Sequence, residues 1–121
     1  MKASTVPRKN TLSSQLVQRI LRTVPYEESF RFSMGFGEYT GEGATNLENF
    51  AEILKTVDLR SINFHMERHD FEKWVHFIFG DEELAQRISR RGVFQGENLR
   101  NELRIVVLDR LDELKKMAKV A

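Results

Sequence analysis

The chain has 121 residues, 40% of them apolar and 31% charged, and it contains no cysteine. That length suits one domain burying roughly two-thirds of the surface its unfolded chain exposes; the missing thiols exclude disulfides and thiolate metal sites and point to a reducing, cytoplasmic setting. The net charge of +1 hides an asymmetry, because the first 31 residues carry six basic residues against two acidic ones while the remainder is mildly acidic.

Residues 1–9 have no apolar period and read as a flexible basic arm; residues 10–121 read as a single α+β domain. Asn10 or Thr11 can cap a first helix, with Leu12, Leu16, Val17, Ile20, Leu21 and Val24 at helical spacing and Pro25 ending it. The segment is rich in Ser, Thr and Arg like an organelle transit peptide, but Val24-Pro25 leads straight into a strand without a linker.

Phe30, Phe32, Met34 and Phe36 alternate with Arg31, Ser33 and Gly35, the period of a half-buried strand. Gly35 to Gly43 reads as a glycine-rich loop, and Thr45 with Glu48 as a capping box for the next helix. Ser61 to Arg68 reads as a second strand, with Ile62, Phe64 and Met66 on one face. Asp70 is expected to cap a helix stopped by Gly80, and Asp81 another closed by Gly92. A long helix then runs from about Glu97 to Ala118. Two strands joined through a helix predict a small β-α-β core with flanking helices, too narrow to stand as an independent sheet.

In the last helix Leu99, Leu103, Val106, Val107, Leu111, Leu114 and Met117 form one stripe, while Ile105 and Leu108 point well round the cylinder. This excess of apolar circumference predicts completion by homodimerisation, with Leu103, Ile105, Val107, Leu108 and Leu111 as the interface set.

No catalytic constellation stands out. Gly35-x-Gly37 is followed by Thr40 where a dinucleotide fingerprint needs a third glycine, and no lysine lies between Lys9 and Lys55 to complete a P-loop. His69 and His76 are too far apart for shared metal ligation, and His65 with His69 would need a third ligand from elsewhere, so no metal is expected; no cofactor is expected either. Residues 84–103 tempt a helix-turn-helix reading, but Gly92 follows Ala85 by seven residues rather than about four, and Glu97, Glu102 and Asp109 repel phosphate. Sequence-specific DNA binding is therefore not expected. No apolar run approaches the ~20 residues of a membrane span.

Phe30-x-Phe32, Gly37-Glu-Tyr-Thr-Gly-Glu-Gly-Ala-Thr45, Val57-Asp-Leu-Arg-Ser-Ile62, Phe64-His65, Arg68-x-Asp70-Phe71-x-x-Trp74 and Gly80-Asp-Glu-Glu-Leu-Ala85 together resemble an uncharacterised archaeal domain family of small proteins. The likeness runs from Phe30 to about Ile88, leaving the first and last helices outside it. It implies an archaeal cytoplasmic protein and supplies no catalytic residues to carry over.

The reading that follows is a non-catalytic homodimeric regulatory factor. Lys2, Arg8, Lys9, Arg19, Arg22, Arg87, Arg90 and Arg91 would contact a ribosomal subunit or other ribonucleoprotein, blocking or bridging it. The alternative is a small-ligand module linked to carbohydrate metabolism. It would use Gly37, Tyr39, Thr40, Gly41 and Gly43 of the loop with His65 and Arg68.

Overall fold

The structure is a computed structural model and describes residues 12–120. Asn10 and Thr11 lie outside them; the cap observed is Ser13, whose Oγ accepts the Leu16 amide at 3.1 Å and opens α1 (Ser14–Leu21). Val17 and Ile20 are its buried face. The helix stops short of Pro25 because the residue before a proline avoids helical geometry, and Val24 instead bonds its amide to the Thr45 carbonyl at 2.8 Å.

Among the described residues the expected β-α-β core is not present. Phe30–Ser33 (β1) pairs antiparallel with Tyr39–Ala44 (β2), in a hairpin with Phe30 opposite Ala44, Arg31 opposite Gly43 and Ser33 opposite Tyr39. The glycine-rich stretch is thus mostly strand rather than loop. Only residues 34–38 turn, through a Met34 amide to Glu38 carbonyl bond and Gly37 at φ +75°. A bulge lies between Arg31 and Ser33. Phe36 lies beyond the strand and is exposed, whereas Phe30 and Phe32 are buried.

Asn46 caps α2 (Leu47–Thr56), accepting the Asn49 amide at 2.7 Å, and Asn49 Oδ1 accepts the Thr45 amide at 3.2 Å. The reciprocal cap expected of Thr45 and Glu48 is therefore made one residue later, by two asparagines. Asp58 then caps α3 (Leu59–Arg68), the segment whose alternation predicts a strand. Its buried residues Ser61, Ile62 and His65 fall on one helical face. A segment this short fits both periods, and the Asp58 cap favours the helix.

His69, at φ +60°, joins α3 to α4 (Asp70–Trp74), which continues through a wide π-type turn, Val75–Phe79. Gly80 at φ +75° ends that segment as the sequence predicts. Asp81 accepts the Leu84 amide at 3.2 Å to open α5 (Glu82–Ser89), and a 3-10 turn, Arg90–Val93, follows it, so Gly92 falls within that turn.

The last helix, α6 (Gly96–Val120), is contacted by α1, α2, α3 and α5. The hairpin sits at one side, β1 on α3 and β2 on α2. Beneath it Phe30, Phe32, Phe50 and Phe71 interlock with ring centroids 4.9 to 6.1 Å apart, each buried ring stabilising by roughly 1.5–3 kcal/mol. Trp74 closes this cluster and donates its indole N–H to the Glu28 carbonyl at 2.8 Å.

Candidate functional site

Two surfaces come out of this architecture. The first is the outer side of α6. Successive residues turn by about 100°, so Leu103, Val107 and Leu111 face the chain's own helices and are buried. These three members of the expected interface set are therefore taken up by the chain's own core, leaving Ile105 and Leu108 of that set on the surface. Ile105 and Leu108 remain 51% and 44% exposed. Arg104 and Asp109 flank them with opposite charges, and the Arg104 Nε is buried without a hydrogen-bond partner among the described residues.

The second is a cleft of about 560 Å³ between the end of α3 and the start of α6, lined by Met66, Glu67, His69, Glu72, Phe94 and Leu99 among others. His69 Nδ1 contacts Glu72 Oε2 at 2.9 Å across the α3–α4 junction. Among the described residues, no lysine or arginine lines the cleft. Nothing in the sequence flags it, since its walls come from segments some 30 residues apart.

The arginine set is largely committed within the chain. Arg87 bonds Glu113 at 2.9 and 3.0 Å and Glu83 at 2.8 Å, and these carboxylates, Glu113 foremost, raise its pKa. Arg91 pairs with Glu102 at 3.0 Å, and Arg22 with the Arg19 and Ile78 carbonyls and with Glu28. Helical and long-range partners thus neutralise charges that look free in the sequence. Arg19 and Arg90 are exposed. Lys2, Arg8 and Lys9 lie outside the described residues.

The loop set lies mostly on β2. Thr40 Oγ1 donates to the Phe32 carbonyl at 2.8 Å and accepts the Glu42 amide at 3.1 Å, so it locks the hairpin. Tyr39 is partly exposed, and its hydroxyl lies 3.4 Å from where a Cβ on Gly43 would stand. Gly41 holds φ +92°. Phe36, at the turn beside Gly37, is stacked by the Arg68 guanidinium at 4.8 Å, and Arg68 also covers Phe64 at 5.1 Å.

The three histidines go three ways. His65 is buried inside the hairpin–α3 contact, His69 holds Glu72, and His76 bonds Glu82. Among the described residues no group of three or more His, Cys, Asp or Glu could hold a metal ion. Among them too, no helix is long and apolar enough to cross a membrane.

A family model matches residues 27–121, from ahead of β1 to the end of the chain. The chain belongs to the family of unknown function DUF5752. The DUF5752 match takes in α6, which the motif string alone leaves outside. No curated protein and no solved structure matches.

Proposed function

We propose that the chain is a non-catalytic binding factor that works as a homodimer, a second copy covering the outer side of α6. One observation carries this reading: Ile105 and Leu108 stand half exposed, three residues apart, on a helix whose opposite side already fills the core. Covering the exposed part of each side chain is worth on the order of 1 kcal/mol, and two-fold symmetry counts every residue twice. Arg104 and Asp109 balance each other, so two copies of the patch meet without net repulsion. The dimer would present paired contacts to a polyanionic assembly, most concretely a ribosomal subunit. The groups left for that contact are Arg19, Arg90 and the basic residues of positions 1–9.

Light scattering at micromolar concentration tests the dimer, and salt-dependent co-sedimentation with ribosomal particles tests the target. A monomer, or sedimentation unchanged by deleting residues 1–9, argues against the corresponding half.

The cleft favours a second reading, a module for a small polar ligand, moved from the glycine-rich strand to the α3–α6 groove. Its volume falls within the ~300–1,000 Å³ range of ligand sites. A thermal shift with a small-molecule panel, abolished by Phe94→Arg and retained in Thr40→Ser, would support it.

A further inference from the structure

His65 is 5% exposed, yet both of its ring nitrogens are engaged. Nε2 accepts the Ser33 amide at 2.9 Å, and Nδ1 lies 2.9 Å from Asp70 Oδ2. An amide N–H can only donate, so Nε2 carries no proton and Nδ1–H donates to Asp70. The contact joins the end of β1 to α3, and among the described residues no third strand holds the two-stranded sheet.

We infer that protonation of His65 releases the β1–β2 hairpin from α3. A proton on Nε2 turns the acceptor into a donor facing the Ser33 N–H, and the two cannot bond. Water cannot take over in place. Phe30, Phe32, Phe64 and Phe71 surround the imidazole with centroids 4.7 to 6.2 Å away. The strand must therefore move for the amide to find a partner.

Two charged groups act on the ring: Asp70 from α4, which favours the cation, and Arg68 from its own helix, which opposes it. From β1 and α4 the other neighbours are aromatic rings and the Ser33 amide. Burial outweighs Asp70 and holds the imidazole below the ordinary histidine range. Burial also works against the Asp70 carboxylate, but His65 and Arg68 outweigh it and hold that group low. An imidazolium formed beside an ionised Asp70 keeps that partner and gives up Ser33. The hairpin tip is coupled to the same group, because Arg68 Nε bonds Asp70 Oδ2 at 2.9 Å while stacking on Phe36.

The test is an NMR titration of the full chain from pH 8 to 5. Imidazole nitrogen shifts follow His65, and amide protection factors follow Ser33 and, as reference, Val107 in α6. The expected result is a protection factor at Ser33 falling about tenfold, the order of one lost hydrogen bond, in step with His65 and by more than the protection factor at Val107. Asp70→Asn should move that step to lower pH. His65→Gln, which can accept from Ser33 but does not titrate, should remove it. If that variant does not fold, the comparison of Ser33 with Val107 in the native chain decides alone. Ser33 protection that stays constant while His65 titrates overturns the inference. So does a His65 that remains neutral until hairpin and α6 lose protection together.

Discussion

Arg110 and Asp81 form a bidentate ion pair inside the fold: Nη2 to Oδ1 at 2.8 Å and Nε to Oδ2 at 2.9 Å, with both side chains 1% exposed. The pair ties the cap of α5 to the middle of α6. Glu113 takes Arg110 Nη1 at 3.0 Å and passes the link on to Arg87. Burial works against the Arg110 charge, but the Asp81 and Glu113 carboxylates outweigh it and raise its pKa.

Removing one partner strands the other, so Arg110→Met should cost about 3–5 kcal/mol. Adding Asp81→Asn keeps the helix cap and removes the orphaned charge, and should recover about 2 kcal/mol of that loss. Urea unfolding midpoints of the two variants measure both effects. Equal midpoints would mean the pair is not coupled.

On the outer side of α6, Ile105→Glu with Leu108→Lys should convert the proposed dimer to a monomer on light scattering. Both side chains are half exposed in the single chain, so its own stability should shift by less than ~1 kcal/mol. The inward side of the same helix offers the contrast: Leu103→Ala, at a buried position, should cost about 2–5 kcal/mol.

Acid should weaken the fold in two windows. His65 has a depressed folded pKa, so the unfolded chain binds the extra proton first. Its contribution is complete above about pH 6.5 and declines as pH falls toward the folded value. Asp70 is depressed as well, so its contribution is present above about pH 3.9 and is lost as pH falls through its folded pKa. Denaturant melts between pH 8 and 3 should show both slopes. His65→Gln should flatten the upper window and, because His65 is one of the groups that hold the Asp70 carboxyl low, make the lower one shallower as well.

The backbone offers a paired test. His69 holds φ +60°, a conformation costing most non-glycine residues roughly 1 kcal/mol; His69→Gly relieves that strain but gives up the Glu72 contact, so the two should offset to within about 1 kcal/mol. Gly80 holds φ +75°, and a Cβ there would lie 3.4 Å from the Arg19 guanidinium; Gly80→Ala should therefore lower stability by about 1 kcal/mol. The thermal unfolding midpoint should fall for Gly80→Ala and change less for His69→Gly.

Several of these features can be read along the chain because they are local. Asp81 followed by Leu84, Ala85 and Ile88, the stop at Gly80, and the buried stripe of α6 each depend on residues within two or three turns. The exposure of Ile105 and Leu108 follows from the same stripe, since helical geometry alone sends them to the other side. The segment 61–68 reads as a strand because Ile62, Phe64 and Met66 alternate. Ile62, His65 and Met66 also keep helical spacing, and eight residues are too few to separate the periods.

What the sequence determined, then, was which residues are apolar, that Gly80 stops one helical segment and Asp81 caps the next, and which positions of α6 must face outward. Only the tertiary structure decided that residues 39–44 pair as a strand, that Arg87 and Arg91 are neutralised, and that Arg110 and His65 are buried. Those outcomes depend on partners far along the chain, such as Asp81 for Arg110 and Ser33 for His65. A polar side chain declares itself buried only once the fold supplies the group that compensates its lost water.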